Sequence, residues 1–320
     1  MNERINRAIE LLGQDQAIYY DGPHSGHVLT QAQGRTDAAT WADYMNVGME
    51  HGAFDMAGLA DYMRGMVEAG PARSGHRTPA VIVEAPVNGI DALHVRHNAW
   101  QFRQILGRGA HGILLCQAEN ADAVRAFIES CRYPRNLLGV DPAIPSPLAR
   151  MAGAVRSPDG GIDAAGRKRL GIGTRGRGSE STAAPVWGLS VEEYMARCDP
   201  WPLNPDGELL LGVKLESPEG VANCEEIIAV PGLGFAEIGP GDLSLSLGYA
   251  TIPREPFPPE MQQARDRIIT ACRKHGVAFL QGCTPDNIIA RIDEGVRVVA
   301  GHSEAAAIKG RAYQKRTMPV

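Results

Sequence analysis

The stretch LLLGVKLESPEGVANCEEIIAVPGLGFAEIGPGDLSLSLG, residues 209–248, decides the fold. Two apolar runs within it, at 209–217 and 234–240, have the length of buried strands. Apolar residues recur at helical spacing over 221–228, and Ser217 followed by proline is typical of a helix start. A strand, a helix and a second strand in this order predict a parallel pair joined by a crossover helix.

The same alternation continues in both directions from this stretch. Further strand-like runs are QAIYY (16–20), DYMNVGM (43–49), PAVIVEAPV (79–87), HGILLCQA (111–118), GVAFLQGC (276–283) and VRVVAGHS (296–303). Helical spacing separates most of these runs, and Thr284-Pro285 is a second predicted helix start. Eight alternating strands predict an α/β protein with a (β/α)8 TIM barrel, since eight parallel strands close a barrel. An open, doubly wound sheet with the same number of strands is the alternative.

One segment, residues 135–206, interrupts the alternation. It is rich in proline and glycine and includes the basic segment RKRLGIGTRGRG (167–178). It lies between the fourth and fifth predicted strands, which we interpret as a βα connection on the face where barrels bind substrates. The sequence is therefore predicted to form a single barrel domain over 1–320, with a long irregular insertion.

Composition excludes several classes of protein. With 44% hydrophobic and 22% charged residues, the chain can bury a large core and is not disordered. A net charge of −5 gives no attraction for nucleic acid or for an anionic membrane. No apolar run is long enough to span a bilayer, and the charged N-terminus lacks the apolar stretch of a secretory signal. Six scattered cysteines predict reduced thiols in a cytoplasmic protein.

Two acidic residues follow neighbouring strands of the deciding stretch. Glu216 lies near the end of one strand and Asp242 just past the end of the next. In a barrel these positions are adjacent on the face that binds substrates, so the two carboxylates can share a divalent cation. Hard oxygen ligands favour Mg²⁺ or Mn²⁺. The alternative is that Glu216 caps a helix and Asp242 caps a turn.

A histidine occupies a comparable position after the second strand. His51, in the motif Met-Glu-His-Gly (49–52), lies between that strand and a helix. Histidine is the side chain best suited to accept a proton near neutral pH, so His51 is the candidate general base. His302, after the last strand, is a second and weaker candidate.

Together these motifs resemble the HpcH/HpaI aldolase family, the metal-dependent class II pyruvate aldolases related to the citrate lyase β-subunit. The matching stretches are DYMNVGMEHGAFDMAGLADYM (43–63), GAHGILLCQAENADAVRAFIESCRYP (109–134), KLESPEGVANCEEIIAVPG (214–232), IGPGDLSLSLG (238–248) and GRAYQKRTMPV (310–320). They cover most of the chain outside the insertion.

The resemblance implies a metal-dependent carbon–carbon lyase with a TIM barrel. It implies that Glu216 and Asp242 bind Mg²⁺ or Mn²⁺, that His51 is the base, and that the amides of Gly241 and Asp242 bind the carboxylate of a 2-keto acid. The implied reaction is aldol or retro-aldol cleavage of a 4-hydroxy-2-keto acid to pyruvate, or a related keto acid, and an aldehyde. Homo-oligomers built from dimers, up to hexamers, are implied as well.

Three positions depart from the pattern of the family. Glu84 stands where an arginine is usual, Gly48 where an aspartate orients the histidine, and Lys214 where a glutamine is usual. Lys214 either pairs with Glu84 and restores local neutrality or supplies the missing positive charge to a developing enolate oxygen. The alternative is that the standard aldol chemistry is impaired and the site serves a related reaction or another substrate. The alternatives are an oxaloacetate-type decarboxylase, an enolate-based bond-forming synthase, and a catalytically silent binding protein.

The remaining candidates lie in the insertion. The segment 174–188 resembles an arginine- and glycine-rich loop of the family, and Arg175 or Arg177 is a candidate ligand for a distal substrate carboxylate. The alternative for this segment is a solvated loop. The aromatic residues Trp187, Tyr194 and Trp201 are interpreted as packing anchors of the insertion, with an apolar pocket for the variable end of the substrate as the alternative.

Overall fold

The computed structural model describes residues 4–154, 161–164 and 166–320, and in them nine strands form one parallel sheet. The strands are β1 (Ile18–Asp21), β2 (Tyr44–Gly48), β3 (Ala80–Asn88), β4 (Gly112–Cys116), β5 (Pro200–Trp201), β6 (Leu209–Lys214), β7 (Phe235–Glu237), β8 (Ala278–Gly282) and β9 (Val296–Ala300). Because β4 pairs with β6 and β1 pairs with β9, eight strands close into a ring, and β5 pairs with β6 outside it.

Helices surround this ring. They are α1 (Arg7–Gly13), α2 (Gln31–Asp37), α3 (Met56–Glu68), α4 (Ala92–Leu106), α5 (Ala121–Cys131), α6 (Pro147–Met151), α7 (Glu180–Trp187), α8 (Val191–Arg197), α9 (Pro218–Ala222), α10 (Cys224–Ile228), α11 (Pro240–Ser246), α12 (Pro259–His275), α13 (Ile288–Asp293) and α14 (Glu304–Tyr313). Every predicted apolar run overlaps one strand of the ring. The predicted (β/α)8 TIM barrel is confirmed, and the open sheet is excluded.

The inside of the barrel is apolar in its lower part and polar near the carboxyl ends of the strands. Apolar side chains such as Ile82 and Phe235 fill the lower interior. Two residues further along the same strands, the inward-facing positions are Glu84 and Glu237, because side chains alternate between the two faces of a strand. The carboxyl ends of the strands therefore enclose a polar layer above an apolar core, and this layer positions the candidate site.

The opposite end of the barrel is closed by α1. The side chain of Asn6 caps this helix and also donates to the backbone carbonyl of His111, at 3.2 Å. The backbone N–H of Asn6 donates to the carboxylate of Glu208 at 2.9 Å. Since His111 and Glu208 directly precede β4 and β6, α1 lies across the amino-terminal ends of the strands.

The insertion lies at this same end, so its predicted place on the substrate-binding face is wrong. Helix α5 follows β4 at once, and residues 135–206 therefore belong to the connection from helix to strand. The indole of Trp187 donates to the carbonyl of Gly109, just before β4, at 2.9 Å. A fully buried ion pair between Arg132 and Asp199, at 2.7 Å, ties the insertion to the end of α5. The packing anchors proposed for its aromatic residues are thus present at the amino-terminal end.

The two predicted helix starts have different outcomes. Ser217 caps α9 as expected, by accepting a hydrogen bond from the N–H of Gly220 at 3.1 Å. Thr284 does not cap a helix, because its N–H donates to the Asn287 side chain at 2.7 Å in a turn, and α13 begins only at Ile288. No helix in the described part of the chain is long and apolar enough to cross a membrane. All six cysteines are buried free thiols.

Candidate active site

A cavity of about 900 Å³ opens at the carboxyl ends of the strands. Its lining includes His51, Lys214, Glu216, Gly241 and Asp242, five of the residues selected from the sequence. Glu84, which was also selected, does not line the cavity and contacts Lys214. In TIM barrels, this end is where active sites are built.

Glu216 is buried at the rim, with one carboxylate oxygen held and one free. Its Oε1 accepts a hydrogen bond from the backbone N–H of Gln117 at 2.8 Å. Its Oε2 has no hydrogen-bond donor among the described residues, and it lies 2.3 Å from the position that a Cβ would take on Gly239. Gly239 has a φ of 55° and therefore both accepts the left-handed backbone and leaves space for this oxygen. Burial raises the pKa of Glu216 to about 9.

His51 lies between two carboxylates. Its Nε2 is 3.5 Å from Oε2 of Glu50 and 3.7 Å from Oδ2 of Asp242. The position of the usual orienting aspartate, Gly48, has no room for any side chain, because a Cβ there would lie 1.8 Å from the carbonyl oxygen of His24. Glu50 and Asp242 are thus the acidic groups nearest to the imidazole.

A buried charge network occupies the positions where the sequence departs from the family pattern. Lys214 Nζ lies 2.6 Å from Glu50 Oε2 and 3.3 Å from Glu84 Oε2. Glu84 also contacts His24, whose Nδ1 is 2.7 Å from its Oε1, and accepts from Asn46 at 2.9 Å. The pairing of Lys214 with Glu84 that the sequence suggested is present, with His24 as a further partner.

The charges in this network set the direction of each pKa. Burial alone would raise the pKa of Glu84, but the hydrogen bond with His24 and the charge of Lys214 lower it overall. The same hydrogen bond raises the pKa of His24. Burial would lower the pKa of Lys214, yet the surrounding anionic groups, including Glu237 and Glu84, raise it. Lys214 is therefore a charged ammonium group and not a neutral amine.

Glu237 is a cavity residue that sequence reasoning missed. It is 6% exposed, and its Oε2 has no hydrogen-bond partner among the described residues. Burial raises its pKa to about 7, with the charge of Lys214 acting in the opposite direction. A charged residue inside the apolar run GFAEIGP was the available signal. Glu50, next to His51, was missed in the same way.

The structure does not bring Arg175 to the cavity, which corrects its selection as a substrate ligand. Its guanidinium is fully buried at the other end of the barrel, where it donates to Tyr194 Oη and contacts Cys198 Sγ, both at 2.9 Å. It also lies 4.5 Å above the ring of Tyr133. These partners hold it as a structural cation. His302 does line the cavity and contacts Asp21 at 3.0 Å.

The donor set at the rim fits a divalent cation. Ligand atoms of Glu50, His51 and Asp242 lie within 4.8 Å of one another, as do those of Glu50, Cys116 and Glu216. Glu50 belongs to both groups, whereas the two predicted ligands, Glu216 and Asp242, belong to separate groups and occur together in neither. The Oε2 of Glu216 has no hydrogen-bond donor among the described residues and lies in the space left by Gly239, so it is available to a cation.

An eight-stranded parallel barrel with carboxylates and a histidine around a cavity at the strand ends is a TIM barrel of the enzymatic type. A profile of the HpcH/HpaI aldolase/citrate lyase family matches residues 81–306. The chain belongs to this family.

Individual relatives are more distant. The chain is 28% identical over 184 residues to 2-keto-3-deoxy-L-rhamnonate aldolase of Klebsiella pneumoniae, covering 58% of this chain and 51% of that protein. It is 26% identical over 259 residues to hydroxypyruvate/pyruvate aldolase of Roseobacter denitrificans, covering 81% and 76%. The match thus spans about half the length of the first relative.

A solved structure of the same family, from Burkholderia cenocepacia, superposes with a TM-score of 0.63 at 21% identity, covering 96% of both chains. This likeness agrees with the barrel described above.

Proposed function

We propose that this protein is a divalent-metal-dependent aldolase that cleaves or forms the C3–C4 bond of a 4-hydroxy-2-keto acid. The observation that carries the proposal is the convergence of Glu216, Asp242 and His51 on one cavity, with Glu50 between them. Membership of the family and the names of the two aldolase relatives support the reaction class. The cavity volume of about 900 Å³ leaves room for substrates longer than pyruvate.

We assign the cation to Glu216 and Asp242, with Mg²⁺ or Mn²⁺ favoured because carboxylate oxygens suit hard cations. When bound, such a cation supplies Lewis acidity at the 2-keto group. The backbone N–H groups of Gly241 and Asp242, on the cavity wall, hold the substrate carboxylate.

His51 moves the proton in the cleavage direction. Its imidazole takes the proton from the C4 hydroxyl, the C3–C4 electron pair stays with the keto-acid fragment, and the aldehyde leaves. Return of this proton to C3 gives pyruvate or its analogue, so atoms and charge balance. Lys214, held by Glu50 and Glu84, adds a fixed positive charge beside the negative charge that develops.

The proposal is tested by incubating the purified protein with a panel of 4-hydroxy-2-keto acids and Mg²⁺ or Mn²⁺. The measured quantity is the release of pyruvate. We expect turnover that chelators abolish, and His51→Asn should lower kcat by about 10²–10⁴-fold while calorimetry still detects metal binding. Glu216→Gln should lose metal binding, whereas the exposed Glu219→Gln should retain it.

Silence over the whole panel would contradict the aldolase assignment. Oxaloacetate is included in the assay, because decarboxylation without aldol cleavage would replace the proposal with the decarboxylase alternative. Metal binding without turnover of any substrate would favour the silent binding protein.

A further inference from the structure

A cysteine lies beside the proposed metal site. Cys116, at the end of β4, is completely buried, and its thiol lies within 4.8 Å of ligand atoms of Glu50 and Glu216. The three residues come from the ends of β2, β4 and β6, so three separate parts of the barrel direct donor atoms to one point. The hard-cation assignment to Glu216 and Asp242 makes no use of this sulfur.

Two further observations describe the present partners of these donors. Glu216 is 2% exposed, and its Oε2 has no hydrogen-bond donor among the described residues. The thiol of Cys116 makes a long contact, of 3.9 Å, with the carbonyl of Leu114, and Glu50 accepts a hydrogen bond from it. Glu216 lines the cavity, and a carboxylate with so little exposure to water is stabilised when a cation or a donor reaches it.

We propose that Glu50, Cys116 and Glu216 form an inner site for a thiophilic divalent cation of the Zn²⁺, Co²⁺ or Cd²⁺ class. One thiolate and two carboxylates, with a fourth position for water or substrate, match the coordination that such ions prefer. The thiolate is the ligand form, so binding releases the thiol proton to solvent. Mg²⁺ gains nothing from the sulfur and stays on the oxygen ligands.

The balance of charge among these side chains favours a divalent cation at the inner site. Two carboxylates and one thiolate carry three negative charges, which a dication and the neighbouring ammonium of Lys214 together balance. Lys214 already contacts Glu50 at 2.6 Å. A dication at the inner site therefore leaves no net charge buried among these groups.

The inner site deepens the proposed function, because both sites need Glu216. A thiophilic ion bound there competes with Mg²⁺ or Mn²⁺ for this carboxylate. Cys116 therefore gives this chain a preference for thiophilic metals at the barrel rim. We expect Cd²⁺ to displace Mn²⁺.

The test is titration of the metal-free protein with Cd²⁺ and Co²⁺, read by the ultraviolet absorption of the metal–thiolate bond and by calorimetry. We expect one thiolate band that saturates at one ion per chain. Cys116→Ser should remove the band and weaken Cd²⁺ binding by at least about tenfold, as losing even outer-shell partners does. Mg²⁺ affinity should change by less than about twofold, since sulfur does not suit hard cations.

Cys131→Ser is the matched control, because Cys131 is equally buried but lies at the end of α5, near the insertion. It should keep the band. Retained Mg²⁺ binding shows that the Cys116→Ser protein is folded. Cys116→Ala is a second variant for the same test of the thiolate band. A band that persists in both Cys116 variants, or no band in the wild-type protein, overturns the inner site.

These outcomes separate the two proposals. Pyruvate release with Mn²⁺ but no thiolate band would leave the aldolase assignment intact and refute the inner site. A Cys116-dependent band in a protein without aldolase activity would do the reverse.

Discussion

The ammonium of Lys214 lies 3.3 Å from the carboxylate of Glu84, and neither side chain is more than 5% exposed. Register places them on β6 and β3, on opposite sides of β4, so the pair spans the polar layer of the barrel. A buried ion pair of this kind contributes little net stability relative to apolar residues, but removal of one partner leaves the other charge unpaired in a medium that solvates it poorly.

Lys214→Met should lower the free energy of unfolding by about 3–5 kcal/mol, the usual cost of an unpaired buried charge. Adding Glu84→Gln should recover at least about 1 kcal/mol, because residues in direct contact do not act additively. Urea unfolding followed by circular dichroism measures both values. Arg64→Met, in an exposed pair with Asp61, is the control and should cost less than about 1 kcal/mol. Strict additivity of Lys214→Met and Glu84→Gln would show that the pair is not coupled.

The raised pKa of Glu237 predicts the direction of a pH effect on stability. Its pKa is about 7 in the folded protein, above the ordinary value of 4.5 that applies to the unfolded chain. Between these values the folded state holds a proton that the unfolded state has lost, so stability falls as pH rises through this window. The full effect of this one group is on the order of 3 kcal/mol.

Glu237→Gln should remove the share of Glu237 in the decline between pH 4.5 and 7 in the metal-free protein and leave the share of Glu216. The measurement is the urea midpoint at several pH values, with the exposed Glu219→Gln as control. Glu216, whose pKa is about 9, contributes its own decline from pH 4.5 to 9 in both proteins, so the slope between pH 4.5 and 7 should fall to about half and the slope above pH 7 should not change. An unchanged slope in Glu237→Gln would mean that this carboxyl ionises freely in the folded state.

The barrel was predictable because its signal is local. Alternating apolar runs and helical spacing reveal each strand and helix, and eight such units leave few ways to close a sheet. Glu216 and Asp242 were found for the same reason, since a residue that follows a parallel strand must lie at the carboxyl end. Glu237 was not found, because its neighbours Lys214 and Glu84 come from other strands.

The strand pattern alone did not predict which end of the barrel the insertion occupies. Its place between two barrel strands was evident, but which end of the barrel it occupies depends on whether it precedes or follows the helix α5. The apolar spacing of 121–131 marks that helix, and residues 135–206 come after it. The arginine chosen for a substrate carboxylate therefore serves the packing of this segment.

Arg175→Lys should lower stability by about 2 kcal/mol, because lysine replaces the planar guanidinium that contacts Tyr194, Cys198 and the ring of Tyr133. The KM for keto-acid substrates should stay within about twofold of the wild-type value, since the residue acts through packing alone. Thermal unfolding and steady-state kinetics measure the two effects. The exposed Arg177→Lys is the control for stability. A selective rise in KM for substrates with a second carboxylate would return Arg175 to the active site.

Gly239 links backbone conformation to the proposed metal ligand. Its φ of 55° is unfavourable for other residues, and an added Cβ would lie 2.3 Å from Oε2 and 2.8 Å from Cβ of Glu216. Gly239→Ala should therefore cost about 1–3 kcal/mol of stability through backbone strain. It should also displace the Glu216 carboxylate and weaken Mn²⁺ binding by about tenfold or more, which corresponds to 1.4 kcal/mol.

Calorimetric titration with Mn²⁺ separates these two effects, because binding is measured below the unfolding temperature of both proteins. Gly176→Ala is the control, since a Cβ at Gly176 meets no atom within 4 Å and its backbone does not require glycine. If Gly239→Ala loses stability but binds Mn²⁺ like the wild-type protein, the Oε2 atom that fills this space is not a ligand. The cation would then depend on Asp242 and Glu50, and Glu216 would be a buried carboxyl whose role is to hold the loop after β6 through Gln117.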